Sequence, residues 1–214
     1  MKSPFRTSLL ALCVSATLLL PGVASAGIEE AEAAYQNKDV GKALKEFKPL
    51  AIQGNVDAQF MLAYMYNKGQ GVSQDYKEGA KWNRLAAAQG DAFAQANLGL
   101  MYHSGLGVSQ DYMEALKWYR LAAAQGHVGA QNNLGLMYTN GNGVFSSHVV
   151  GYALYNISAA GDSADATVNR TDLLKSMNSK DINAGQNLTR ELAKPGNFLK
   201  ALDNYVKKPI VRER

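Results

Sequence analysis

Apolar and polar positions along this chain follow the spacing of amphipathic helices, and the same arrangement returns at a fixed interval. The stretch YKEGAKWNRLAAAQGDAFAQANLGLMYHSGLGVSQD from Tyr76 is followed, 36 residues later, by YMEALKWYRLAAAQGHVGAQNNLGLMYTNGNGV from Tyr112. No gap is needed to align the two. The same spacing run backwards reaches a copy from Val40, and run forwards reaches a worn copy, HVVGYALYNISAAGD, from His148. A self-similar unit of this length predicts stacked helical hairpins, because one hairpin cannot bury its apolar face alone.

Each unit holds two helices. Asp75 precedes one of them and stands three residues before Glu78, and Asp111 and Glu114 repeat the arrangement, a capping-box pattern. That helix ends at Gly90 or Gly126. The other runs from about Ala92 to His103 and ends in Gly105-x-Gly107-Val108, with counterparts at Gly69-x-Gly71-Val72 and Gly141-x-Gly143-Val144. Paired glycines permit a tight reversal and the valine pins it. The lysine and hydroxyl of a phosphate loop are missing, so these are connectors. The runs Ala86–Ala88 and Ala122–Ala124 let helix axes approach closely, and Trp82 and Trp118 are expected as wedges between helices.

On a helical wheel of roughly 100° per residue, the recurring Ala58, Leu62, Ala63, Met65 and Tyr66 fill one arc. The changing Phe60, Met61, Tyr64, Asn67 and Lys68 fill the opposite one. Counterparts of the changing set are Ala96, Asn97, Leu100, His103 and Ser104, then Asn132, Asn133, Leu136, Thr139 and Asn140. A stacked array buries the recurring arc. The changing arc is left for a partner, with Phe60, Met61, Tyr64, Lys68, Asn97, Leu100, His103, Asn132, Asn133 and Leu136 as candidate protein-binding residues. Asparagines suit the backbone of an extended peptide and apolar residues its alternate side chains. The competing reading is unconstrained solvent-facing surface.

At the amino end, Lys2 and Arg6 precede an apolar run from Leu9 to Leu20, a Pro21-Gly22 break and the small-x-small triplet Ala24-Ser25-Ala26. This is the pattern of a signal peptide cleaved after Ala26, and the apolar run is too short for a stable bilayer span of roughly 30 Å. The mature chain is then expected in the periplasm or secreted, without stable membrane insertion. Cys13, the single cysteine, lies inside that segment, so no disulfide, thiol nucleophile or thiolate metal site is expected beyond it. The segment removes two of the 22 basic residues and none of the 18 acidic ones. The remaining excess is too small to argue for nucleic acid.

The sequence predicts an all-α, right-handed α-solenoid of helix-turn-helix repeats. Its parts are a signal at 1–26, a capping helix within 27–39, and repeats at 40–75, 76–111 and 112–147. A degenerate repeat follows at 148–178, with C-terminal capping helices and a tail at 179–214. The capping helices are expected over Ser179 to about Lys194, with Ser179 as cap, and over a more polar Asn197–Lys207; Ala164–Met177 precedes them.

The segments KWNRLAAAQG and KWYRLAAAQG, the pattern A-Q-x-x-L-G-x-M-Y and the loop G-x-G-V-x-Q-D resemble the Sel-one-like repeat family, relatives of the tetratricopeptide proteins. The resemblance is strongest from Val40 to Val144. Ala63 departs from it at the glycine of Leu98-Gly99, and Ser146-Ser147 depart at Gln-Asp. It implies an adaptor scaffold for envelope or secreted complexes, with the helix of the changing arc lining the concave side. It does not match the branch with a cysteine pair in each repeat.

Candidate chemistry changes this little. His103, His127 and His148 fall at unrelated repeat positions, and no His-Glu-x-x-His, Gly-x-Ser-x-Gly or Ser-x-x-Lys occurs. Met101 and its equivalents read as packing. The expectation is a non-catalytic protein-binding scaffold without cofactor. The alternatives are an envelope enzyme, or the regulatory subunit of one, and a host-directed secreted effector using the same surface. Nothing in the sequence fixes the oligomeric state.

Overall fold

A computed structural model describes residues 21–207, with side chains from residue 27. Residues 1–20, which carry most of the expected signal, lie outside the described residues. Eleven helices are described: α1 (Pro21–Gln36), α2 (Val40–Ile52), α3 (Val56–Lys68), α4 (Tyr76–Ala88), α5 (Ala92–Ser104), α6 (Tyr112–Ala124), α7 (Val128–Asn140), α8 (His148–Ala160), α9 (Ala164–Leu174), α10 (Ser179–Leu192) and α11 (Phe198–Val206). Each packs on the next from α1 to α9, so consecutive antiparallel pairs stack into the expected α-solenoid.

Two interleaved series of caps set the helix starts. Asp39, Asp75, Asp111 and Ser147 open α2, α4, α6 and α8. Asn55, Asp91, His127 and Ser163 open α3, α5, α7 and α9. Each accepts a hydrogen bond from a first-turn amide that the helix leaves unpaired, at distances from 2.6 Å at Asp91 to 3.3 Å at Ser147. The reciprocal half of the expected capping box is absent. Asp75 and Asp111 donate their own N–H to the carbonyls of Tyr66 and Tyr102, which ties each cap to the preceding helix. Glu78 and Glu114 instead pair with Lys81 and Lys117.

The connectors match the glycine pattern. Gly105 and Gly107 both have φ of 70°, and a side chain on Gly107 would run into the Tyr76 carbonyl at the start of α4. The alanine runs bury their first two members, while Ala88 and Ala124 face water. Trp82 is buried among α1–α4, and Trp118 is half-buried with its indole N–H donating to Glu114.

Other boundaries differ from expectation. Helix α1 opens at Pro21, ahead of the 27–39 stretch expected to hold the capping helix. Asn178, not Ser179, caps α10, because its carboxamide oxygen is the one placed to accept the Asp181 amide at 2.9 Å. Helix α9 stops at Leu174, short of Met177. Helix α11 is not merely polar. Phe198, Ala201 and Leu202 are buried in a core shared with Tyr119, Leu134, Met137 and Leu154, because α10 and α11 fold back over α8 and α6.

Candidate functional site

Helices α3, α5 and α7 turn their recurring residues inward: Leu62, Met65, Leu98, Met101, Leu134 and Met137 are all buried. Their other sides form a row of three connected hollows. The first, about 430 Å³, is lined by Phe60, Tyr64, Asn67, Lys68 and Tyr76, and by Phe93, Asn97, Leu100, Met101 and Leu106. The second, about 170 Å³, shares Leu100 and adds His103, Tyr119, Asn133, Leu136, Asn140 and Asn142. The third, about 330 Å³, shares Asn133 and Leu136 and continues onto Asp165, Val168 and Asn169 of α9. The shared residues make the three one track across four helices.

Of the candidate residues, Phe60, Tyr64, Lys68, Asn97 and Leu100 meet in the first hollow and His103, Asn133 and Leu136 in the second. Two are corrected. Met61 packs against the core of the first four helices and lines none of the hollows described here. Asn132 contributes an edge to the third hollow but is only 6% exposed, and its carboxamide oxygen accepts from Asn169 at 2.9 Å. Both were placed by the wheel alone, which carries no information on the neighbouring helix. Ala96, in the same changing set, is also buried.

The structure adds Phe93, 60% exposed, whose ring lies 6.0 Å from Phe60 and 5.0 Å from His127. Its counterparts one unit away are Asp57 and Gly129, so comparing copies one position outside the chosen arc would have found it. Val168 stands one unit beyond Asn132 and continues the track past the last recognisable copy.

Local bonds hold the middle of the track in place. Asn133 donates to the Tyr119 hydroxyl at 3.3 Å, and the His103 ring lies 5.2 Å from Tyr112 with Nε2 3.4 Å from the Asn142 amide. Burial pushes the Tyr119 hydroxyl pKa well up, so it stays protonated. Charge sits at the ends: Lys68 in the first hollow, Asp165 in the third. Among the described residues no group of three or more His, Cys, Asp or Glu side chains is placed to hold a metal ion. Apolar faces, amides and one charge at each end are the materials of polypeptide recognition.

A family model described as Sel1 repeat matches residues 56–91, 92–127 and 128–163, half of the chain. The chain belongs to the Sel1 repeat family. The model frames each repeat as α3–α4, α5–α6 and α7–α8, half a period later than the frame chosen from the sequence, with the same period. Among solved structures, a Sel1 repeat protein from Oxalobacter formigenes is 38% identical with a TM-score of 0.55, over 60% of this chain and 97% of that one. A protective antigen present in uropathogenic Escherichia coli strains, displaying an SLR fold, is 28% identical with a TM-score of 0.56. That match covers 76% of this chain and 43% of the antigen, so the chain spans under half of its length. No match was found among curated proteins. The chain is thus a Sel1-repeat scaffold, a class that generally serves protein–protein interaction and is typically non-catalytic.

Proposed function

We propose that this Sel1-repeat chain is an exported, non-catalytic scaffold that binds an extended segment of another protein along the track over α3, α5, α7 and α9. The observation that carries the reading is the division of each helix. Most residues that recur from copy to copy are buried, and most of those that change line three hollows joined through Leu100, Asn133 and Leu136. An extended strand places alternate side chains on one side, which suits a row of hollows, while amides between them suit its backbone. Export is supported by the residues from Lys2 to Ala26, and by the likeness to an antigen of a pathogenic strain.

The test is crosslinking in the cell envelope with the mature chain, beside a variant carrying Tyr64→Ala, Asn97→Ala and Asn133→Ala. A protein captured by the first and lost by the second, at equal helicity by circular dichroism, supports the reading; capture by both sinks the groove. Fractionation with amino-terminal sequencing is expected to give a mature chain beginning at Gly27. A chain retained whole in the cytoplasm would overturn export.

A further inference from the structure

Resting on that reading, we infer that the first hollow receives the free carboxyl terminus of the partner, its last side chain apolar and seated against the hollow's apolar walls. Charge supplies the first argument. Lys68 is the one charged residue lining this hollow; no carboxylate lines it. Its ammonium lies 6.0 Å over the Tyr64 ring, and no salt bridge among the described residues includes it. A lone cation beside apolar walls favours a ligand that combines a carboxylate with an apolar body.

The second argument comes from comparing repeats. In the next one Asn133 is satisfied by the Tyr119 hydroxyl, and two units on Thr139 lies 3.3 Å from Tyr155. The residue at the place of those tyrosines in the first repeat is Asn83, fully buried and turned to the Met101 sulfur at 3.5 Å. Asn97, the counterpart of Asn133, consequently has no side-chain hydrogen bond among the described residues. The carboxamide oxygens of Asn67 and Asn83 are buried without a donor. Side chains whose counterparts in later repeats are paired lack partners here, and Asn97 among them lines a hollow of about 430 Å³ against about 170 Å³ where the Tyr119 ring stands.

The third argument decides between a terminus and an acidic side chain. The track ends at this hollow: Tyr35 of α1 stands edge-on to Tyr64 at 6.4 Å, tied to Gln70 by its hydroxyl, and no lining residue comes from α1. A strand running in from α9 stops here. With Lys68 at the closed end and Asp165 at the open one, the strand lies with its carboxyl terminus at Lys68 and favours a basic residue upstream near Asp165.

The probe is a set of fluorescein-labelled octapeptides with lysine near the label and Leu, Phe or Asp last, each made as free acid and as amide. Anisotropy titration of the mature chain is expected to show Leu and Phe acids binding roughly tenfold tighter than their amides, a preference lost at high salt. Lys68→Gln, checked for unchanged helicity, is expected to abolish the acid-over-amide ratio while leaving the amides as they were. Asp165→Asn is expected to keep the ratio. Equal binding of acids and amides, a ratio that survives Lys68→Gln, a preference for Asp as last residue, or no binding by any free acid overturns the inference. The groove reading fails separately, by partner capture that ignores the triple variant.

Discussion

A single position shows how the repeats fit together. A Cβ on Gly99 would lie 2.7 Å from the Tyr119 ring, and one on Gly135 2.6 Å from the Tyr155 ring. In the first repeat the facing residue is Asn83, and the glycine has become Ala63, fully buried. The departure from the repeat pattern at Ala63 was visible in the sequence; its cause, a smaller residue twenty positions on, was not, because only packing joins the two. Gly99→Ala is therefore expected to destabilise by about 1–3 kcal/mol through displacement of a buried ring, measured by urea unfolding. Gly99→Ala with Tyr119→Asn should recover part of that loss, and strict additivity would refute the pairing. His127 makes a second residue-scale prediction. Its Nδ1 accepts the Ala130 amide at 3.1 Å, so the cap needs an unprotonated nitrogen. Burial against α5, with the Phe93 ring on its edge, lowers its pKa, and Asp91 opposes only in part. The unfolded chain takes up a proton near the ordinary value of about 6.5, which the native cap resists. Stability from this cap is thus complete above that pH and falls as the pH drops through the lowered native value. His127→Asn, which caps without titrating, is expected to flatten the melting temperature between neutral and mildly acidic pH. An unchanged slope would show that other groups set it.

At the scale of the helix pair, the recurring A-Q and A-A-Q-G carry a network that no wheel reveals. Gln95 of α5 donates to the Ala87 carbonyl at the end of α4 at 3.1 Å. Gln125, after α6, donates to both Gln95 and the Gly90 carbonyl at 2.8 and 3.0 Å. Gln59 and Gln89 repeat this one unit earlier with Ala51 and Gly54. Each set joins the last carbonyls of one hairpin to the next, which fixes the angle between repeats and so the spacing of the hollows. Gln95→Ala removes one member and strands buried polar partners, an expected cost of about 1–3 kcal/mol. A double-mutant cycle with Gln125→Ala is expected to show coupling of about 1 kcal/mol, since both act on one network; independent effects would dissolve it. Helix number, type and most starts were legible because caps and glycine loops are local signals. The glutamines were visible as letters without a role, since their partners lie in the neighbouring repeat, and the packing of Met61 and the burial of Asn132 were hidden for the same reason.

For the whole molecule, the asymmetry of the two ends governs how the array holds together. Toward the carboxyl end α10 packs on α8, and α11 reaches α6, with Leu188, Leu192, Phe198 and Leu202 buried in the core of α6–α8 and Arg120 bridged to Asp203. That return path was not readable from periodicity, because it follows the glycine-free segment where the repeat signal has faded. It means α8 and α6 lean on sequence 33 and 83 residues further along, whereas α1–α4 form their own core around Phe47, Leu62 and Met65. A repeat array is stabilised largely between neighbours, so removing one element should be felt locally. Truncation after Asn197 is therefore expected to lower amide-exchange protection in α6, α7 and α8, and to leave α2 and α3 close to the full-length chain. The Tyr64 end of the track would keep its shape while the Asn133–Leu136 end loosened. A uniform loss of protection would instead mean that the Gln59–Gln89 and Gln95–Gln125 networks couple all repeats into one cooperative unit. In that case the C-terminal helices control the first hollow as firmly as they control the third.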